Sequence, residues 1–177
     1  MARASLILAA ATAVLSAPMT HAWAQTPLET AVKAAYLFKF GAFVEWPATA
    51  FNGPSGPVHI CISGADPFGA LLDRAVQGQL IAGHPIAVQR MDHIDKGADC
   101  QILFVAPSPR QPVAEALDKV RGAPVLTVTD NGPDPASRGV IDFVLRENHI
   151  RFRIDGRTAG EDGLAISSKL LSLAVKP

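Results

Sequence analysis

The run Gln101–Ala106 (QILFVA) is apolar at almost every position, and a short unbroken run of this kind reads as a strand covered on both faces of a sheet. That requirement asks for helices packed on a sheet, and the neighbouring segments have the right pattern. Val58–Ser63 (VHICIS) alternates as a strand closed by Gly64, and a helix to about Val76 follows, with Asp66-Pro67 expected as its cap and first-turn proline. A short β piece after Gln79, a turn at Gly83-His84 and a strand from Pro85 come next. Ser108-Pro109 repeats the cap-then-proline device before a helix to about Arg121, stopped by Gly122 and Pro124, and Val125–Thr129 is a further strand. Strand–helix–strand alternation predicts a largely parallel sheet.

The pattern changes towards the C-terminus. Val140–Leu145 and His149–Asp155, separated by three turn-forming residues, read as an antiparallel hairpin. In its second strand Ile150, Phe152 and Ile154 should point inward, with Arg151 and Arg153 outward. A short helix near Arg157–Asp162 and a last one from Ser168, capped by Ser167, complete the chain. The expected fold is one α/β domain over residues 25–177. Its central sheet is mixed and mostly parallel, of about six strands flanked by helices, with a C-terminal antiparallel hairpin.

The stretch 32–47 (VKAAYLFKFGAFVEWP) is expected as a helix stopped at Trp46-Pro47, since proline disfavours helical conformation in its predecessor. It is apolar around most of its circumference and carries about half of the chain's aromatic residues, so it should be buried on more than one side. Two covers suit its surplus surface at Phe38, Phe40, Phe43 and Trp46: the C-terminal helix, or a second protein chain. Phe40, Phe43 and Trp46 are therefore candidate partner-binding residues.

An address precedes this helix. Arg3, an apolar run Leu6–Leu15 and Ala22-Trp23-Ala24 form the pattern of a signal peptide, residues 1–24, cleaved before Gln25. The apolar run is short for a membrane span, and no later segment is long and apolar enough to be one. After cleavage the basic count falls from 16 to 15 against 16 acidic residues, a net charge of 15 − 16 = −1, which gives no electrostatic reason to expect nucleic acid or anionic lipid. The mature chain is expected outside the cytoplasm. Its two cysteines, Cys61 and Cys100, are expected to form one disulfide there, worth roughly 4 kcal/mol on the chain-entropy account, with a redox switch or a metal pair as alternatives.

No catalytic set emerges. Gly64–Gly69 is not a dinucleotide or nucleotide loop, Ser167-Ser168-Lys169 lacks the serine–lysine spacing, and Glu161-Asp162 are adjacent in sequence only. His59, His84, His93 and His149 are scattered, and Met91–Cys100 matches no closed zinc pattern. The chain is read as a non-enzyme without metal or cofactor. Asp66, Ser108 and Asp130 mark the place where an α/β sheet would offer a small-ligand cleft, outside the C-terminal strand ends.

Taken together, VKAAYLFKFGAFVEWP, HICISGADPFG, CQILFVAPS, PVLTVTD, GVIDFV, IRFRID and GLAISSKLLSLA resemble, in that order, the YfiR family over about Leu28–Val175. The resemblance implies a periplasmic α/β domain, often a homodimer, that inhibits an inner-membrane diguanylate cyclase by binding its periplasmic sensor region. It implies an outer-membrane OmpA-like lipoprotein that sequesters the inhibitor, and a structural disulfide where Cys61 and Cys100 lie. The segment Pro133–Gly139 departs from the family pattern, on loop positions. The alternative reading is a periplasmic small-ligand sensor.

Overall fold

The computed structural model describes residues 27–53 and 55–176; the expected signal peptide lies outside the described residues. Helix α1 (Pro27–Phe40) leads through a 3-10 turn, Gly41–Phe43, into a two-residue strand β1 (Val44–Glu45). Then come β2 (Val58–Ser63), α2 (Ala70–Val76), β3 (Leu80–Ile81), β4 (His84–Met91), β5 (Ile102–Val105), α3 (Val113–Val120) and β6 (Leu126–Asp130). The hairpin β7 (Ile141–Arg146) and β8 (His149–Ile154) precedes α4 (Gly156–Glu161), β9 (Ala165–Ile166) and α5 (Ser168–Leu173).

The main sheet has seven strands in the order β3-β4-β2-β5-β6-β7-β8, and β1 and β9 pair separately. The run from β4 to β7 is parallel, with antiparallel β3 and β8 at the two edges. The sheet therefore confirms the expected class. It gains one strand over the expected six because the short piece after Gln79 joins it. The β3–β4 turn is Ala82-Gly83, one residue earlier than expected, and both residues have positive φ, 52° and 85°, as a two-residue hairpin turn requires. Glu147-Asn148 turns the second hairpin in the same way, at 50° and 60°.

Strand residues alternate between two cores. Ile60, Ile62, Phe104, Val128, Phe143 and Phe152 join α1, α2 and Leu170 of α5 in the larger one. Cys61, Leu103 and Val105 face the other way, towards Ala116, Leu117 and Val120 of α3. Gln101–Ala106 is buried throughout, as its composition demands. The Cys61–Cys100 disulfide forms, with 5.8 Å between Cα atoms, and ties β2 to the entrance of β5.

Candidate functional site: the end of the first helix and the strand-end cleft

Helix α1 ends at Phe40, seven residues before Pro47, the proline expected to stop it. The cause is tertiary. A Cβ on Gly41 would sit 2.6 Å from Ile81 Cδ1, so the chain passes β3 closely at a glycine and then turns. Val44 and Glu45 leave the helix to pair with Ile166 and Ala165, and the Phe43 carbonyl accepts from Ser167 N at 2.9 Å.

This early end separates the three candidate partner-binding residues. Phe40 is 1% exposed and packs among Tyr36, Phe143 and Phe152, with ring centroids 5.0–5.7 Å away, so its side chain presents no surface. Phe43 and Trp46 are half-buried. Lys169 Nζ lies 5.9 Å from the Phe43 ring centroid. The Trp46 ring meets Phe51 edge-on at 6.2 Å, and Phe51 stacks on His84 at 4.6 Å. His84 Nδ1 is 2.7 Å from the Gly56 carbonyl. Buried indole N–H groups generally find an acceptor, yet Trp46 Nε1 donates to none of the described residues. Phe51 and His84 escaped the sequence reading, because only the tertiary path brings them to Trp46.

The strand-end cleft also forms in part. Connections leave β2 in one direction and β5 in the other, the arrangement that opens a crevice at the carboxyl ends of parallel strands. A cleft of about 330 Å³ lies there, lined by Asp66, Pro67, Phe104, Pro107 and Asp130. Ser108 does not line it. Its Oγ accepts from Arg110 N at 3.1 Å, a local turn, so α3 starts only at Val113. Asp66 likewise makes a turn instead of a cap, accepting from Phe68 N and Gly69 N at 2.7 and 3.2 Å, so α2 starts at Ala70. The gap at the switch point is narrow: a Cβ on Gly64, whose φ is +86°, would lie 2.5 Å from the Ala106 carbonyl oxygen.

Both carboxylates in the cleft already hold cations. Arg90 Nε reaches Asp66 Oδ2 at 2.6 Å, and its other nitrogens bind Asp73 and the Gly69 carbonyl. Burial pushes the Asp66 carboxyl up, but Arg90 and the two backbone N–H groups outweigh it and hold it below its ordinary value. Lys33 Nζ, on the buried side of α1, reaches Asp130 Oδ2 at 2.6 Å. This pair clamps α1 to the end of β6. Among the described residues, no group of three or more His, Cys, Asp or Glu side chains could hold a metal ion, and no helix is long and apolar enough to cross a membrane.

No curated protein matches the chain. A family model described as YfiR/HmsC-like matches residues 30–175, from within α1 to beyond the end of α5. This chain therefore belongs to the YfiR/HmsC-like family.

Proposed function

We propose that this chain is a periplasmic regulatory protein that binds the periplasmic sensor region of an inner-membrane signalling enzyme, a diguanylate cyclase, and restrains it, so lowering cyclic di-GMP. Family membership supports the regulatory class. The observation that carries the binding reading is the half-buried aromatic stack Trp46, Phe51 and His84 with the half-buried Phe43, and the indole N–H of Trp46 has no acceptor among the described residues. Aromatic residues of this kind supply large contact area at low entropic cost and dominate protein interfaces. An outer-membrane OmpA-like lipoprotein that competes for the inhibitor completes the scheme.

The disulfide gives the scheme a folding dependence. Closing the loop across a sequence separation of 39 restricts the unfolded chain, by roughly 4 kcal/mol on the entropic account, so a chain without it has a smaller folded population to restrain the cyclase. The test measures cyclic di-GMP in cells that carry the cyclase with wild type, Cys61→Ser, or the pair Phe43→Glu and Trp46→Ala. Wild type lowers the nucleotide, Cys61→Ser lowers it less, and the folded rim variants fail to lower it. Equal levels with and without the wild-type protein would remove the regulatory reading. Full inhibition by the rim variants would move the interface elsewhere.

A second reading is a small-ligand sensor, favoured by the cleft between Asp66 and Asp130. Thermal-shift screening of periplasmic metabolites separates the two, since a ligand raises the midpoint with its concentration.

A further inference from the structure

Two arginines among the described residues are half-buried, Arg138 and Arg153. Arg153 pairs with the buried Asp142 at 2.6 Å. Arg138 has no carboxylate partner among the described residues. Its Nε donates to the Gly132 carbonyl at 3.0 Å, and its two terminal nitrogens meet no acceptor there. A guanidinium drawn away from water is ordinarily matched by a negative group.

The backbone that carries Arg138 is fixed in advance. Asp134 caps the turn Pro135–Ser137, accepting from Ser137 N at 3.1 Å, and Gly139 N donates to Thr129 Oγ1 at 3.0 Å. The bond to Gly132 then sets the direction of the guanidinium, so little freedom remains to be lost on binding.

Arg138 lines a cavity of about 280 Å³ between α3, α4 and this connection, and Arg121 and Arg157 line it from the other two sides. Arg121 pairs with Asp118 and Arg157 with Glu161, each within one helical turn and with all four side chains exposed. Exposed pairs of this kind contribute little and leave other guanidinium donors for a ligand. Two carboxylates share the wall, and both are turned to protein donors. Asp155 accepts from Arg157 N, Thr158 N and the Thr158 hydroxyl, and Asp162 accepts from Gly122 N. The lining charge is 3 − 2 = +1, with the positive groups coming from three separate elements.

We propose that this cavity binds a small phosphomonoester, its phosphate held by Arg138, Arg121 and Arg157. Forked guanidiniums match the oxygens of a phosphate in pairs. Cations approaching from three directions suit a tetrahedral dianion better than a planar carboxylate. The cavity is at the small end of ligand pockets, which suits a phosphate carrying only a few further atoms. Bound there, the anion joins α3, α4 and the β6–β7 connection. The site lies apart from the aromatic stack and from the strand-end cleft, and it rests on neither reading above.

Isothermal titration calorimetry of the mature protein with glycerol phosphate, at fixed ionic strength, tests it. The wild type binds saturably with a Kd in the millimolar range or below, and inorganic phosphate competes. Arg138→Gln weakens binding on the order of tenfold or more, and Arg157→Gln weakens it by a smaller factor. Arg146→Gln removes the same charge from an exposed strand residue outside the cavity and leaves binding unchanged. Circular dichroism reports the fold of each variant, and Arg157→Gln decides the matter if Arg138→Gln does not fold. Absence of saturable binding at millimolar glycerol phosphate overturns the proposal, as does binding that folded Arg138→Gln and Arg157→Gln both leave intact. Binding to phosphatidylglycerol vesicles without binding of the soluble ester also overturns it, since the site would then belong to a membrane surface.

Discussion

The two faces of the sheet at β6–β8 are covered by opposite means. On one face Tyr36 and Phe40 of α1 pack on Phe143 and Phe152, four rings with centroids 5.0–6.3 Å apart. On the other face the connection Asn131–Gly139 is held across the strands by hydrogen bonds. Asp142, 2% exposed, accepts from Thr129 Oγ1 at 2.8 Å, Gly132 N at 3.0 Å and Arg153 Nη2 at 2.6 Å. Thr129 Oγ1 and Thr127 Oγ1 accept from Gly139 N and Val140 N. Gly132 and Gly139 are required by closeness: a Cβ would lie 2.6 Å from the Ser137 carbonyl oxygen in one case and 2.7 Å from that of Thr127 in the other. An apolar cover tolerates small shifts. A polar cover depends on the direction of each donor–acceptor pair, so it fixes one arrangement of the loop, although Arg153 Nε finds no acceptor among the described residues.

The largest effect expected from breaking this comparison is on the aromatic face. Phe40→Ala removes a fully buried ring and leaves a cavity, and urea unfolding should show a loss of about 3–5 kcal/mol. On the polar face, Asp142→Ala strands Gly132 N and the Arg153 guanidinium; Arg153 is partly exposed, so the loss should be smaller, about 2–3 kcal/mol. The signature differs as well. Amide exchange at Gly132 and Gly139 should accelerate in Asp142→Ala while the α1 amides keep their protection, and uniform acceleration would show that the two covers are not separable.

Two carboxylates of α4, which borders the polar side near Arg138, give the smaller effects. Asp155 caps this helix, and the Thr158 backbone N–H chiefly, with the Thr158 hydroxyl, Arg157 and its N–H, holds its carboxyl below the ordinary value despite some burial. A carboxylate lowered in the folded state contributes above its unfolded pKa and loses that contribution as pH falls through the folded value. Asp155→Ala should therefore cost about 1 kcal/mol at pH 7 and progressively less in acid. Asp162 has the opposite sign. Burial raises its carboxyl, although Gly122 N donates to it at 2.7 Å. Its ionisation opposes folding above the ordinary carboxylate range, and that penalty disappears as pH falls through the raised value. Asp162→Asn keeps an acceptor for Gly122 N, so it should raise the melting temperature slightly at pH 7 and leave it unchanged in acid.

The aromatic face was legible in the sequence because periodicity reports apolar burial directly. Phe152, the hairpin and the Ser167 cap stand where local pattern places them, and the Cys61–Cys100 pair forms as its count and expected compartment indicate. The polar face was not legible. Arg153 alternates outward as expected, but its partner Asp142 is fixed by the β7–β8 register, which periodicity does not reveal. Asp66 and Ser108 show why two expected helix caps close turns instead. A residue that can cap a helix can equally close a turn a few residues before it, and the local sequence is the same for both. The end of α1 at Phe40 depends on Ile81 and on pairing with β9, contacts between residues far apart in the chain.

Those same contacts govern how the molecule comes apart. The first segment of the fold packs on α2 and is also clasped by the last elements: Tyr36 and Phe40 by Phe152, Val44 by Ile166, Phe43 by Ser167. The final residues also return to the sheet, where Val175 N donates to the Phe152 carbonyl at 2.9 Å. A chain cut short before β8 would keep its disulfide ring and central strands yet uncover the α1 rings where Phe152 packs on them. Each clasp spans more than a hundred residues, so loop-closure entropy is overcome only once the whole length is present. The protein should accordingly lose its structure in a single step when trimmed from the C-terminus, with no stable shortened form for a protease to leave behind.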